Sequence, residues 1–276
     1  MGLYVTSNVA ALNAYRNLNM TQAAQNSSLE KLSSGYRLNR AADDAAGLAI
    51  SQGLQAQIGG LNVAVSNAQD AIGVVQTGDG ALTETQSILQ RMRNLAVQAA
   101  SGGSQDVNAQ AASQTEFAQL QSEVDRIANT TSYAGQKLLD GSYAGTFQVG
   151  ANNTSNDQIT IDLTGTPMTS AGLAIDAANV SDTASAQAAI DTIDTAITSV
   201  STTRATLGAY QNRFQHTVNN LNVEVENLTA GNARIQDTDM ASEMVKFTSA
   251  QILSQAGTAM LDQANQQPQS ILKLLQ

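Results

Sequence analysis

Residues 186–235, AQAAIDTIDTAITSVSTTRATLGAYQNRFQHTVNNLNVEVENLTAGNARI, decide the fold of this chain. One helical face recurs there at alternating steps of four and three: Ala186, Ile190, Ile193, Ile197, Val200, Arg204, Leu207, Gln211, Phe214, Val218, Leu221, Val225, Leu228, Asn232 and Ile235. Only Arg204, Gln211 and Asn232 in this series are polar. Steps that average about 3.5 residues predict a helix that pairs along its whole length in a left-handed supercoil.

A helix of this length does not fit inside a compact globule. An α-helix spanning residues 186–235 would measure roughly 75 Å. A compact chain of 276 residues has a radius of gyration of only about 19 Å. The sequence therefore predicts a rod, and rods of paired helices commonly build assemblies.

Two further apolar series can cover this helix. The longer one recurs every seventh residue, with a second set of positions between: Leu54, Leu61, Ala68, Val75, Leu82, Leu89 and Ala96, with Ile58, Val65 and Ile72. The shorter one comprises Phe117, Leu120, Val124 and Ile127. Three stripes within one chain predict a mainly α fold, a long antiparallel helical bundle or coiled-coil rod.

The composition narrows the classes of function. Charged residues make up only 13% of the chain, against roughly 25% in an average soluble domain, which is expected if much of the lateral surface contacts other subunits. The net charge of −10 and the absence of a basic stripe argue against nucleic acid binding. Because cysteine is absent, disulfides and thiol chemistry are excluded. No apolar run approaches the length that spans a bilayer, so no membrane insertion is predicted.

Candidates for catalysis are weak. His216 is the only histidine and falls between the positions of the apolar series. Gly78-Asp-Gly80 resembles a fragment of a nucleotide-binding loop but lies inside a predicted helix. Asp43-Asp44 is better explained as helix capping than as a metal site. We therefore predict no enzyme activity, no cofactor and no metal.

Breaks in the pattern divide the rest of the chain. Helices are predicted from residue 5 to about 33, from Asp43-Asp44 to about 100, and from about 105 to 129. A last helix starts after Asp237-Thr238-Asp239 and is interrupted at Pro268. Alternating residues on both sides of a turn-rich segment predict a β-hairpin at about 146–163. Residues 164–184 are predicted to form an irregular, exposed connection.

The two terminal helices are amphipathic but have no predicted partner inside the bundle. Isolated helices of their length are marginal in water, so we expect them to become ordered only on assembly. The side chains predicted to form the core of that assembly are Val5, Val9, Leu12, Met244, Phe247, Leu253, Met260, Leu272 and Leu275.

Several ordered motifs together point to a family. They include LEKLSSGYRLNRAADDAAGLAI at 29–50, LGAYQNRF at 207–214 and AQILSQAG at 250–257. In these motifs, and over nearly its whole length, the chain resembles bacterial flagellin, in a short form that lacks the large outer variable domains.

This resemblance implies a structural subunit of the flagellar filament, exported unfolded and self-assembling into a helical tubular propeller for motility. Residues 1–40 and 236–276 would form an inner core of terminal helices in a coiled-coil inner domain, and 41–235 the surrounding helical rod. Implied partners are the chain itself, an export chaperone, a filament cap and hook-junction proteins. The implied location is the extracellular flagellum, reached without a cleavable signal peptide.

The resemblance also implies recognition of the monomer by Toll-like receptor 5, through Arg91, Leu95 and Glu116. Two alternatives to the filament subunit remain open at this point: a hook–filament junction protein and a soluble receptor ligand or adhesin. For Arg204, Gln211 and Asn232 two interpretations also stay open. The bundle is either locally open to solvent there, or these polar residues specify its register.

Overall fold

Helices dominate the computed structural model, which describes residues 8–102 and 106–274, with side chains to residue 266. The helices are α1 (Val9–Ser34), α2 (Ala45–Ala99), α3 (Val107–Thr130), α4 (Thr183–Gln236) and α5 (Met240–Leu274). The strands are β1 (Ser132–Tyr133), β2 (Gln136–Lys137), β3 (Ala144–Gln148) and β4 (Gln158–Asp162). The predicted class, mainly α with a small hairpin, is confirmed.

A short polar side chain precedes each helix and satisfies N–H groups of its first turn. The residues that do so are Asn8, Asp44, Asp106, Asp182 and Asp239. Each of these side chains pairs one or two of the four N–H groups that a helix start otherwise leaves without a partner. Gly35 ends α1 in the left-handed conformation, with φ of 76°, which glycine adopts without steric cost.

The chain divides into two compact units. The terminal unit contains the N-terminal part up to Ala56 and the C-terminal part from Asn227, and the central unit contains Gln57–Glu226. Helices α2 and α4 each contribute to both units. The predicted division at residues 40 and 236 concerns the assembled chain and stays a prediction.

The core of the central unit is built from α2, α3 and α4. Every seventh residue of α2 from Leu61 to Ala96 is buried, as are Phe117 and Val124 of α3 and Ile193, Val200, Leu207 and Phe214 of α4. Ion pairs between Asp79 and Arg204 and between Arg93 and Asp194 show that α2 and α4 run antiparallel. The alternating steps of four and three therefore identified the faces that pack together.

The predicted hairpin is formed by β3 and β4, which pair from Ala144↔Asp162 to Gln148↔Gln158. The Phe147 ring meets the Phe214 ring of α4 edge to face, with centroids 5.8 Å apart. The Asn67 side chain of α2 donates a 3.0 Å hydrogen bond to the backbone carbonyl of Gln148. The hairpin is thus fixed to both long helices.

The prediction that residues 164–184 form an exposed connection is wrong. This segment is irregular, but Ile175 and Val180 are completely buried. Polar side chains of α3 bond its backbone: Gln121 donates to the Ile175 and Ala178 carbonyls, and Gln114 accepts the Val180 N–H. Composition suggested exposure because the buried apolar residues are spaced irregularly among Thr, Ser and Ala.

Two smaller features also differ from the predictions. Helix α5 continues through Pro268 to Leu274, where an interruption was predicted. The two-residue strands β1 and β2 pair around Ala134-Gly135, and no hairpin was predicted there. Strands this short carry no usable alternation.

Candidate assembly surface on the terminal helices

Helices α1 and α5 pair with each other, antiparallel, through a narrow and largely small-residue interface. The least exposed positions of α1 recur at steps of three and four: Ala11, Ala14, Leu18, Thr21, Gln25, Ser28 and Leu32. Those of α5 recur in the same way: Glu243, Phe247, Ala250, Ser254, Gly257, Leu261 and Ala264. Because most of these side chains are small, the helices come close together.

The two helices come close together at Gly257. A Cβ atom placed on Gly257 would lie 3.3 Å from Leu18 Cδ1. At the other end of the pair, Asn8 Nδ2 donates a 2.7 Å hydrogen bond to the Ala264 carbonyl. The terminal helices therefore pair with each other, as the coiled-coil inner domain implied by the family resemblance requires, although the residue pattern gave them no partner inside the bundle. The signal for this pairing lies in small residues at heptad spacing, such as Ala11, Ala14 and Gly257, and not in a stripe of bulky apolar residues.

Most of the bulky apolar side chains of this pair point away from the interface. Of the predicted assembly residues, Val9, Leu12, Met244, Leu253 and Met260 are 49–63% exposed, and Phe247 is half-buried. Further exposed side chains on the same helices are Tyr15, Met20, Leu29, Met240, Val245 and Ile252. Val5 and Leu275 lie outside the described residues, as does the side chain of Leu272. We call the exposed apolar side chains of α1 and α5 the outward surface.

The outward surface is chemically suited to burial. Soluble monomers rarely expose extended apolar surface, and large patches commonly mark sites of protein association. Within the described residues no group of three or more His, Cys, Asp or Glu side chains could hold a metal ion. Among the same residues, no helix combines the length and hydrophobicity that a transmembrane span requires.

A buried carboxylate lies in the interface between α1 and α5. Ser28 Oγ donates a 2.7 Å hydrogen bond to Glu243 Oε1, and Lys246 Nζ lies 2.9 Å from Glu243 Oε2. The hydrogen bond from Ser28, followed by that from Lys246, lowers the pKa of Glu243 from its ordinary value of 4.5. Sequence reasoning missed this pair, because its members are 215 residues apart.

The three polar residues of the α4 series lie in different surroundings. Arg204 Nε donates to Asp79 Oδ1 at 2.8 Å, and its Nη1 donates to Gln86. Asn232 accepts a 2.7 Å hydrogen bond from Ser51 Oγ, which also reaches Gln236. Gln211 is half-buried.

The residues suggested for receptor recognition are only partly brought together at the surface. Arg91 of α2 and Glu116 of α3 form an ion pair with an Nη2 to Oε1 distance of 2.6 Å, and both side chains are about half exposed. Leu95 is 3% exposed and belongs to the core of the central unit. The accessible part of this group is therefore the Arg91–Glu116 pair.

Comparison with known proteins gives consistent matches at both ends of the chain. Residues 5–144 match the family model for the bacterial flagellin N-terminal helical region, and residues 190–275 match that for the C-terminal helical region. The flagellin of Halalkalibacterium halodurans is 48% identical over 274 residues, covering 99% of this chain and 100% of that protein. The flagellin of Bacillus subtilis is 46% identical, covering 98% of this chain and 99% of that protein. The crystal structure of Bacillus cereus flagellin is 33% identical, with a TM-score of 0.51, over 56% of this chain and 88% of that chain.

Proposed function

The chain belongs to the bacterial flagellin family, and on that premise we propose that it polymerises by burying its outward surface against other copies of itself. Flagellins are structural proteins of the flagellar filament, so the chain is a filament subunit. The proposed contact is supported by the distribution of apolar side chains on α1 and α5, which is the reverse of that in an ordinary helix pair. Small residues make up most of the interface within the chain, and most of the bulky apolar side chains of these helices remain exposed.

The free energies of burial and of association favour contact of each subunit with several neighbouring subunits. Full burial of one large apolar side chain contributes about 1.5–3 kcal/mol, so the outward surface supplies on the order of 20 kcal/mol at most. Association costs an estimated 4–15 kcal/mol for lost freedom of motion, and a single contact buries only part of the surface. Contacts that join different surfaces of identical subunits without closing a ring produce a helical filament. Polymerisation around a shared axis would use both terminal helices fully.

The proposed division of labour follows from this contact. Residues 1–40 and 236–276 would form the inner core of the filament, and residues 41–235 would surround it. Before assembly the chain would be exported unfolded to the extracellular flagellum, held by an export chaperone. At the filament it would meet the cap and the hook-junction proteins. The low charge of the chain, 13% charged residues, supports extensive lateral contact.

Seeded polymerisation tests the proposed contact. Purified monomer is mixed with short filament fragments, and elongation is followed by light scattering and electron microscopy. A double variant, Leu12→Ser with Leu253→Ser, should retain its helical circular dichroism signal and lose elongation at least tenfold. Val107, which is strongly exposed at the start of α3, provides the control, and Val107→Ser should elongate normally.

Each alternative function gives its own result in that experiment. A hook–filament junction protein would bind seeds without extending them into long filaments. A soluble ligand or adhesin would stay monomeric, with folded helices, under every condition. Normal elongation by the Leu12→Ser/Leu253→Ser variant would contradict the proposed contact even if the unaltered chain polymerises.

A second proposed activity is recognition of the monomer by Toll-like receptor 5. It is supported by the resemblance at Arg91, Leu95 and Glu116 and by the exposure of the Arg91–Glu116 ion pair. In this proposal the ion pair contacts the receptor. Leu95 acts by holding α2 in place from within the core. An Arg91→Ala monomer should activate receptor-bearing cells at least tenfold less than the unaltered monomer.

Arg126→Ala is the matched control for this test. Arg126 also forms an exposed ion pair on α3, with Glu123, but lies outside the proposed contact, so signalling should not change. Unaltered signalling by the Arg91→Ala monomer would contradict the proposal.

A further inference from the structure

The buried and the exposed methionines lie in different parts of this chain. The sequence contains seven methionines and no cysteine, so thioethers are its main targets for mild oxidants. Met92 and Met168 are buried in the central unit, whereas Met20, Met240, Met244 and Met260 are 47–64% exposed. Within the described residues, every exposed thioether therefore lies on α1 or α5, and Met1 lies outside them.

The four exposed methionines belong to the outward surface. Met20 of α1 lines a groove with Val245 and Leu253 of α5. Met240 and Met244 are one helical turn apart on α5, and such residues share a helix face. None of the four is among the residues through which α1 and α5 pair. Their modification would thus alter the outward surface and leave the pair of helices intact.

We propose that Met20, Met240, Met244 and Met260 form an oxidation site through which peroxides block polymerisation of the chain. This inference rests on the proposed function, since it requires assembly through the outward surface. In the reaction the thioether sulfur attacks one oxygen of hydrogen peroxide, and the O–O bond breaks. The sulfur gains an S–O bond and is oxidised by two electrons to the sulfoxide, while the peroxide is reduced to water.

Oxidation changes the polarity of the side chains that the proposed contact buries. A sulfoxide is polar and accepts hydrogen bonds, whereas a thioether is a flexible apolar group. Burying a polar group without a hydrogen-bond partner is unfavourable. An oxidised subunit would therefore remain folded but dock poorly, and a subunit already in a filament would be protected because its thioethers are covered.

The test compares oxidised and untreated monomer in seeded polymerisation. Monomer is treated with hydrogen peroxide until peptide mapping by mass spectrometry finds sulfoxide at the four positions, and elongation of untreated seeds is then measured. We expect elongation to fall at least tenfold with unchanged circular dichroism. Methionine sulfoxide reductases of both epimer specificities should restore it. Filaments treated in the same way should show less sulfoxide at these positions than monomers.

Two sets of variants locate the effect. Replacing all four exposed methionines by leucine preserves apolar volume and should give a chain that elongates normally after peroxide treatment. Met92→Leu with Met168→Leu should remain as sensitive as the unaltered chain. If the fourfold variant fails to elongate without treatment, recovery of the oxidised unaltered chain by the reductases decides the question, and absence of recovery overturns the inference.

The outcomes separate this inference from the proposed function. Failure of untreated monomer to elongate seeds would contradict the proposed function itself. Normal elongation by both untreated and fully oxidised monomer would leave the proposed function standing and overturn the oxidation site. Persistent sensitivity of the fourfold leucine variant would also overturn it.

Discussion

Ser28 and Glu243, from opposite ends of the chain, share a 2.7 Å hydrogen bond buried between α1 and α5. Glu243 is the only charged residue among the buried polar side chains of the part of the chain that the structure describes. Charged side chains are almost never buried unless they are paired. Ser28 and Lys246 supply the pairing here, which makes the stability of the helix pair dependent on pH.

Acid should weaken the α1–α5 pair. The pKa of Glu243 is lowered from 4.5 in the folded chain, so the unfolded state binds a proton more readily. The stabilisation is therefore complete above about pH 4.5 and is lost as the pH falls through the lower folded value. Hydrogen exchange of α1 and α5 amides should accelerate over that range. Glu243→Gln, which keeps an acceptor for Ser28 but no charge, should lose part of this pH dependence.

Glu243 lies in a surface crevice that is lined by other ionisable groups, and these determine which control variant is needed. They are Lys31, Arg37, Asp43, Asp239 and Lys246. The pKa of Asp43 is also lowered, because its carboxylate accepts the N–H groups of Arg40 and Asn39, so some pH dependence should persist in Glu243→Gln. Glu30→Gln removes an exposed carboxylate of α1 that pairs with Arg40. The Glu30→Gln variant should keep the full pH dependence of hydrogen exchange. If Glu243→Gln showed the same pH dependence as the unaltered chain, the prediction would be contradicted.

Gly257 limits the size of the residue that the α1–α5 interface accepts. Replacing glycine by alanine inside a helix stabilises it by about 1 kcal/mol. At Gly257 the new Cβ would meet Leu18 Cδ1 at 3.3 Å, so the side chain of Leu18 must shift and part of the gain is lost. Gly257→Val should separate the helices and accelerate hydrogen exchange in both.

Gly53 provides the comparison for that prediction. It lies in α2 in the terminal unit, and a Cβ there would meet nothing within 4 Å. Gly53→Ala should therefore slow local hydrogen exchange, because it raises the free energy of local unfolding by the full difference in helix propensity, about 1 kcal/mol. Equal gains at Gly53 and Gly257 would mean that the contact with Leu18 imposes no limit.

Arg204 is predicted to specify register more than stability. Its pair with Asp79 is partly exposed, and such pairs contribute about 0.5 kcal/mol. A double-mutant cycle with Arg204→Ala and Asp79→Ala should give a coupling of about that size. Arg204→Met should leave the free energy of unfolding nearly unchanged but permit a second pairing of α2 with α4, detectable as additional amide resonances.

The Arg93–Asp194 pair joins the same two helices and serves as the reference. Both of its side chains are more than 40% exposed, so its coupling should be smaller than that of Arg204 and Asp79. A single set of amide resonances in Arg204→Met would favour the interpretation in which Arg204 only marks a solvated part of the bundle.

The sequence predicted those parts of the fold that depend on bulky periodic residues. The buried positions from Leu61 to Ala96 on α2 follow directly from their heptad spacing, and β3 and β4 follow from alternation. The family resemblance implied that α1 and α5 pair, but periodicity did not identify the contacts between them, because alanine, serine and glycine give little hydrophobic signal. Gly257, whose small size permits close contact with Leu18, is one of these residues. The hydrogen bond between Ser28 and Glu243 depends on tertiary structure and has no local signature.

The connection between β4 and α4 was also not predicted correctly from the sequence, in this case because its contacts are made by polar side chains. Its burial depends on Gln114, Gln121 and Asp125 of α3, whose side chains bond backbone groups 45–66 residues away. Polar residues on a helix are ordinarily assigned to its solvated face. A sequence pattern alone does not distinguish a glutamine that contacts water from one that satisfies a buried carbonyl.

Asp125 should be required for order in that connection. Its carboxylate accepts 2.7 Å hydrogen bonds from both the N–H and the Oγ of Ser170, which is buried. Asp125→Ala would leave these donors unpaired, which costs about 1–3 kcal/mol. We expect urea unfolding of the central unit to show a loss of about 2 kcal/mol, together with faster hydrogen exchange at Ser170 and Ile175. Glu123→Ala removes an exposed partner of Arg126 on the same helix and should change neither measurement, so equal effects of the two variants would exclude a specific role for Asp125.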